Sequence, residues 1–160
     1  MINRFFCIFL ILFLFIPFKP VLALENDYGK QSLVGADFSN TDLRGATFYL
    51  TNLQNANLSG SDLEGASLFG AKLQDTDLSN ANLRNATLDS AFLEGTNLSN
   101  AFLEDAFAFS TRFKNVNISG SDFTNVLITG EEHKYLCSIA NGVNPVSNKK
   151  TIDTLDCNTQ

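Results

Sequence analysis

The sequence contains no tryptophan, a single histidine, three cysteines and only 11 basic residues against 17 acidic ones. The shortage of lysine and arginine argues against simple binding to nucleic acid or to anionic membranes, because both require basic patches. The lone histidine, His133, has no second histidine with which to hold a metal and no convergent partners for catalysis. We therefore expect no catalytic residue, no metal site and no cofactor, and the chain is predicted not to be an enzyme.

Long hydrophobic runs are absent apart from one near the start. The apolar stretch FFCIFLILFLFI occupies 5–16, follows Arg4, and precedes small residues at Val21 and Ala23. This layout is typical of a secretory signal peptide, 1–23, that is cleaved after Ala23. The alternative is a membrane anchor, but twelve helical residues span ~18 Å and the hydrocarbon core is ~30 Å thick. We expect membrane contact only through this segment, before its cleavage.

The rest of the chain follows a period of five residues from 31 to 130. The third position of each unit is Leu, Phe or Ile, with Ala108 as the one exception, and the first position is almost always small. In an extended chain these two positions share a face, so one small and one large side chain point inward together. The fifth position is mostly Gly, Asn or Asp, which tolerate positive φ at a corner. Each unit is therefore predicted to be a very short strand followed by a corner.

A second period of twenty residues indicates how the units stack. Serine recurs at Ser39, Ser59, Ser79, Ser99 and Ser119. The same spacing gives the charge column Arg44, Glu64, Arg84 and Glu104, places Glu94 next to Lys114, and aligns the outward residues Asp37, Asn57, Asp77 and Asn97. Four units of five make a square coil, and about five such coils would stack at ~4.8 Å. We interpret the Asp/Asn column as hydrogen-bonding residues of the repeat rather than as a calcium site.

The units ANLSG, ADFSN, TDLRG, TDLSN and ANLRN resemble the pentapeptide-repeat family, whose unit reads A(D/N)LXX. This resemblance implies an all-β fold, the right-handed quadrilateral β-helix, which is a solenoid. Together with the apolar run at the start and the end of the period at 130, it gives the expected domain organisation: a signal peptide at 1–23, a pentapeptide-repeat β-helix at 24–130, and a small helical C-terminal capping segment at 131–160.

The C-terminal segment breaks the period and contains the two cysteines that remain after signal cleavage. EEHKYLCSIANG is predicted to form a short helix that stops at Gly142, followed by a return segment to Cys157. An exported chain with one cysteine pair suggests a Cys137–Cys157 disulfide, which we interpret as structural because no C-x-x-C spacing is present. The stretch LCSIANGVNPVSNKKTIDTLDC also resembles the tail of pentapeptide-repeat proteins exported to thylakoid lumens. That resemblance implies a lumenal or periplasmic location.

Outward positions should be polar, but several are aromatic. We predict that they form a surface for a protein partner or for self-association, and its residues are Tyr49, Phe69, Phe92, Phe102, Phe107 and Phe109. Because Ala108 leaves a gap in the core, an alternative is that Phe107 or Phe109 turns inward by a slip of register. The predicted function is a non-enzymatic exported scaffold or interaction module. The alternatives are an acidic DNA-mimic rod that binds a DNA-handling enzyme, and a redox-regulated lumenal protein acting through the disulfide.

Overall fold

Four parallel ladders run the length of the repeat region and define a square solenoid. The computed structural model describes residues 26–128 and 130–157, so the predicted signal peptide lies outside the described residues. Each ladder joins the second position of a unit to the residue twenty positions later, as in Asp37↔Asn57 and Asp77↔Asn97. The longest continuous pairing joins β1 (Phe92–Glu94) to β2 (Arg112–Lys114) in parallel. The predicted twenty-residue coil is confirmed.

We number the four sides of the coil by their ladders, and each side includes the corner that follows it. Side 1 contains residues 32, 52, 72, 92 and 112; side 2 contains 37, 57, 77, 97 and 117; side 3 contains 42, 62, 82, 102 and 122; side 4 contains 27, 47, 67, 87, 107 and 127. The sides follow one another along the chain, so sides 1 and 3 are opposite, as are sides 2 and 4.

The core is built from the first and third positions, as the pattern predicted. Leu58, Leu63 and Leu83 are completely buried, and the small first-position residues Ala56 and Ala81 are buried beside them. The hydroxyls of the first-position threonines Thr51, Thr76, Thr96 and Thr111 each donate to a carbonyl in the preceding coil, as from Thr76 Oγ1 to the Leu53 oxygen at 2.7 Å. A buried hydroxyl with a partner avoids the free-energy cost of an unpaired polar group.

Corners adopt the left-handed conformation at the fifth position of the units. This holds for glycines and for asparagines such as Asn55 and Asn80, which tolerate it well. Leu50, Ser90 and Ser110 adopt it too, with φ of 54°, 61° and 54°, although these residue types disfavour it. The coil geometry therefore overrides local preference at these corners.

The outward Asp and Asn residues hold the corners, as interpreted from the sequence. Asp77 Oδ1 accepts a hydrogen bond from the Ser79 backbone N–H at 2.9 Å, and Asn97 Oδ1 accepts one from Ser99 N–H at 3.1 Å. The Asn97 amide also donates to Asp77 Oδ1 at 3.1 Å, which links neighbouring coils. These carboxylates and amides are thus used within the repeat.

The alternating charge column forms only in part. Arg84 Nε lies 3.4 Å from Glu104 Oε2, but Arg44 pairs with Asp42 on its own unit at 2.6 Å and with Asp62 of the next coil at 3.6 Å. The hydrogen bond from Arg44 lowers the pKa of Asp42 to about 2. The expected pairing of Glu94 with Lys114 is present at 2.6 Å.

The C-terminal segment contains the predicted helix and one that was not predicted. Helix α1 (Gly130–Ile139) starts with acidic residues, as expected, and α2 (Thr151–Thr154) is a single turn within the predicted return segment. Across the described ranges, neither helix has the length and apolarity to cross a bilayer. Cys137 and Cys157 are joined by a disulfide that ties α1 to the residues after α2.

Candidate protein-docking surface

The structure separates the six aromatic residues predicted to form the surface. Phe92 lies on side 1 and Phe102 on side 3, because the ten residues between them are half a coil. Phe107 lies on side 4, and the corner that follows side 4 carries Tyr49, Phe69 and Phe109. The expectation of one patch containing all six rings is therefore wrong. Four of them share side 4, whereas Phe92 and Phe102 face opposite directions.

Phe92 and Phe102 are each covered by an arginine. The Arg112 guanidinium lies 5.3 Å from the centre of the Phe92 ring, and that of Arg84 lies 4.4 Å from the centre of the Phe102 ring. Both rings are half-buried. An arginine over an aromatic face makes a cation–π contact with the ring and shields its apolar surface from water. These two rings therefore contribute little free apolar surface.

Side 4 carries the accessible apolar residues. Phe107 and Phe109 are each 42% exposed, which excludes the alternative in which one of them turns inward. Ala108 occupies the inward position between them and is buried. The rings of Tyr49 and Phe69 stack at 5.7 Å between centroids and are exposed to a similar degree.

Two leucines, which a count of aromatic residues alone misses, extend this surface. Leu127 is exposed and pairs with Phe107 along the side 4 ladder. Leu50 is exposed at the corner beside Tyr49. Both occupy outward positions where the repeat normally places polar residues, so counting every apolar residue at such positions would have found them. We call the group Tyr49, Leu50, Phe69, Phe107, Phe109 and Leu127 the side 4 surface.

The side 4 surface is also poor in charge. Between Thr47 and Leu127 the described residues of this side include one charged side chain, Asp89; the others are apolar residues, Thr, Ser and Gly. Side 2 carries two charged side chains, Asp37 and Asp77, and is otherwise lined mainly by Asn and Ser. Depletion of charge together with aromatic enrichment is characteristic of the centre of a protein–protein interface.

His133 takes part in packing of the C-terminal segment. Its Nε2 lies 2.6 Å from the Leu155 carbonyl oxygen and 3.7 Å from Cys137 Sγ. Among residues 26–128 and 130–157, no group of His, Cys, Asp or Glu side chains is arranged to hold a metal ion.

Comparison with known proteins identifies the repeat. The family model described as pentapeptide repeats matches residues 32–68, 66–105 and 93–130, together well over half of the chain. The chain belongs to the pentapeptide repeat family. Its ladders are accordingly those of a right-handed β-helix, as the sequence resemblance implied.

Two solved pentapeptide repeat structures are similar to this one. A protein from the thylakoid lumen of Arabidopsis thaliana is 44% identical with a TM-score of 0.80, and the match covers 81% of this chain and 90% of that one. Rfr23 from the cyanobacterium Cyanothece 51142 is 26% identical with a TM-score of 0.52, covering 66% and 93%. Among curated proteins, the chloroplast thylakoid lumenal 15 kDa protein 1 of Arabidopsis thaliana is 46% identical over 41 residues. This chain covers only 18% of that relative, and the match takes in 26% of this chain. The pentapeptide repeat protein is thus of the thylakoid-lumen type.

Proposed function

We propose that this pentapeptide repeat protein is a non-enzymatic interaction module that is exported to the thylakoid lumen and docks another protein chain through the side 4 surface. The observation that carries the proposal is the coincidence of six exposed large apolar side chains with a stretch of side 4, from Thr47 to Leu127, whose described residues include one charged side chain. Scattered exposed apolar residues are normal on monomers, but clusters of large apolar side chains on one side mark an interaction site. The remaining sides supply the polar, solvated face of the scaffold.

The scaffold is a rod of about five coils, which we propose is closed at one end by the C-terminal segment. Three backbone N–H groups of the last coils find acceptors there. Phe113 N–H donates to Glu132 Oε2, Gly120 N–H to the Asn141 carbonyl, and Phe123 N–H to Thr154 Oγ1, at 3.0, 2.9 and 3.0 Å. An open edge of a β-helix is a template for aggregation, so occupying these donors protects the end of the rod.

Export rests on the predicted signal peptide and on the relatives. Cleavage after Ala23 would release a mature chain beginning at Leu24. The thylakoid lumen is favoured over the periplasm because the Arabidopsis relatives are lumenal proteins. N-terminal sequencing of the protein from fractionated organelles tests this; an intact Met1 in a membrane fraction would contradict it.

The acidic DNA-mimic alternative is less consistent with the charges. A duplex mimic needs continuous rows of negative charge along the rod. On side 3 the carboxylates are interrupted by Arg44 and Arg84, and on side 1 Glu94 is paired with Lys114. We therefore do not favour this function.

Redox regulation has one observation in its favour. The Cys137–Cys157 disulfide is partly exposed and joins α1 to the residues after α2. Reduction would loosen the closure of the rod without touching side 4. Partner capture measured with and without reductant separates regulation from a purely structural bond.

The docking proposal is tested by comparing two triple substitutions in capture from lumenal extracts. Phe69→Ser/Phe107→Ser/Phe109→Ser removes three rings from side 4, and we expect it to abolish capture. The control, Phe92→Ser/Phe102→Ser/Val34→Ser, removes apolar side chains from sides 1 and 3 and should leave capture intact. Loss of capture in the control alone, or in neither variant, would contradict the proposal. Far-UV circular dichroism verifies that both variants keep the fold.

A further inference from the structure

The side 4 surface consists of two apolar clusters with a polar gap between them. One cluster is formed by Tyr49, Leu50 and Phe69, and the other by Phe107, Phe109 and Leu127. We call each residue of a ladder, with the corner that follows it, a rung. The first cluster lies at the rungs of residues 47 and 67 and the second at those of residues 107 and 127, so the rung of Thr87 lies midway between them. The corner after Thr87 carries Asp89, the one charged residue of this stretch.

This arrangement is self-complementary. A two-fold axis at the Thr87 rung, perpendicular to the rod, reverses the order of the rungs in a second copy. It places Phe69 of one copy opposite Phe109 of the other, and Ser67 opposite Phe107, where a small side chain meets a large one. The Tyr49, Leu50 and Phe69 cluster of each copy then packs on the Phe107, Phe109 and Leu127 cluster of the other. The same contact forms twice, as an isologous two-fold interface requires.

The charge distribution also favours a second copy on this side. The full chain has a net charge of −6, so two copies repel each other unless the contacting faces lack carboxylates. Side 3 presents Asp42, Asp62 and Glu64, and side 1 presents Glu94 with Arg112 and Lys114. Side 4 lets the apolar clusters meet with one carboxylate per copy in the contact.

We infer that side 4 binds side 4 of a second copy of this chain in an antiparallel, two-fold dimer. The inference rests on the proposed function and names the partner as the chain itself. Four rung spacings of ~4.8 Å and a five-residue side of at most ~16 Å give ~300 Å² per copy. A standard stable interface buries ~800 Å² per partner, so the dimer is weak and reversible.

The test is sedimentation equilibrium of the mature chain over a concentration series. The wild type should show reversible monomer–dimer behaviour at high concentration. Phe69→Ser and Phe107→Ser should each weaken association on the order of tenfold, because each removes ring contacts from both halves of the interface. The matched control Phe102→Ser changes a second-position phenylalanine of the same coil on side 3 and should associate like the wild type.

Asp89→Asn is the variant that distinguishes this geometry from other contacts. The two Asp89 carboxylates face each other across the two-fold axis, so neutralising them should tighten the dimer, most clearly at low salt. An equimolar mixture of Phe69→Ser and Phe109→Ser should associate more tightly than either variant alone, since the mixed dimer keeps one of the two Phe69–Phe109 contacts and the dimer of each single variant keeps neither. An unchanged affinity in Asp89→Asn or no gain on mixing would overturn the antiparallel arrangement.

A strictly monomeric wild type at its highest soluble concentration would overturn the dimer altogether. That result leaves the docking proposal standing if the extract still yields a partner that the side 4 triple variant fails to capture. If the wild type is monomeric and the side 4 triple variant also captures the same partners as the wild type, side 4 is not an interface.

Discussion

Asp89 Oδ1 accepts a hydrogen bond from the backbone N–H of Phe109, one coil further along, at 2.7 Å. In regular units the fourth-position N–H is bonded by the Asp or Asn two residues earlier, as Ser99 N–H is by Asn97. The residue two before Phe109 is Phe107, whose side chain has no hydrogen-bond acceptor. Asp89, in the preceding coil, therefore supplies the acceptor. This explains why an aspartate interrupts the column of aromatic residues formed by Tyr49, Phe69 and Phe109.

The first prediction concerns this substitute acceptor. Asp89→Ala leaves the Phe109 N–H without its protein acceptor and should lower the free energy of unfolding by about 1 kcal/mol. Asp89→Asn keeps an oxygen in the same place and should be close to wild type. Urea unfolding monitored by circular dichroism measures both. Equal destabilisation in the two variants would show that the charge, and not the hydrogen bond, is what matters.

The second prediction concerns the inward register. Leu83 is completely buried, so Leu83→Ala should lower the free energy of unfolding by about 2–5 kcal/mol. Ser79→Ala changes an outward residue whose backbone N–H makes the corner hydrogen bond, and should have a small effect. If the two variants had similar melting temperatures, the assignment of inward and outward positions would be wrong.

The third prediction concerns the close approach of the C-terminal segment to the rod. Gly142 has φ of 81°, and a Cβ there would lie 2.6 Å from the backbone nitrogen of Gly120. Gly130 has φ of 65° with open space around its Cβ position. Both alanine variants incur the penalty of positive φ, about 1–2 kcal/mol, but Gly142→Ala must also displace the backbone. We expect a clearly larger loss of thermal stability for Gly142→Ala, and comparable losses would contradict the contact.

The fourth prediction concerns Asp122, which is buried although it occupies an outward position. Its carboxylate accepts hydrogen bonds from Thr124 N–H and Thr124 Oγ1, and lies 3.4 Å from Lys149 Nζ. Burial raises the pKa of Asp122, but the hydrogen bonds from Thr124 and the attraction of Lys149 outweigh it and lower the pKa below its usual value.

A lowered pKa fixes the sign of the pH dependence. The stabilisation is complete above the unfolded-state pKa of about 3.9 and is lost as the pH falls through the lower folded-state value. The contact with Lys149 should therefore persist in mild acid and fail only below about pH 4. Hydrogen exchange of 144–150 as a function of pH measures this. Asp122→Asn should loosen this stretch at neutral pH, and a wild-type transition near pH 6 would contradict the account.

The fifth prediction concerns the disulfide. Cys137 and Cys157 are separated by 20 residues, for which loss of loop-closure entropy predicts about 3 kcal/mol of stabilisation. Reduction, or Cys137→Ala with Cys157→Ala, should raise hydrogen exchange in 130–157 much more than around Leu58 in the coils. Uniform acceleration throughout the chain would mean that the rod depends on the bond.

The fold could be predicted because one physical constraint is repeated in every unit. Each Leu at a third position, such as Leu58 or Leu83, is buried in the same way. The recurrence of serine every twenty residues sets the number of five-residue units in a coil at four. Ala108 did not disturb the register, because the ladders on either side of it hold the backbone. Helix α2 was missed because a single turn over Thr151–Thr154 has no periodic signal.

The docking surface was predicted less well, for a reason that the coil geometry makes clear. Proximity in sequence suggested that Phe92, Phe102 and Phe107 form one patch, but residues ten apart lie on opposite sides. The shielding of Phe102 by Arg84 depends on a contact between neighbouring coils. Combining the twenty-residue period with every apolar outward residue, including Leu50 and Leu127, would have identified side 4.

The most direct test of the central claim is hydroxyl-radical footprinting of the aromatic rings in the exported protein. The account predicts that Phe69, Phe107 and Phe109 are oxidised readily in dilute purified protein and are protected in the concentrated lumenal extract. Oxidation is expressed relative to Phe92 and Phe102, whose exposure should be the same in both conditions and which therefore correct for radicals scavenged by other proteins. Side 4 rings that are oxidised as readily in the extract as in dilute solution would contradict the claim that this side is the docking surface.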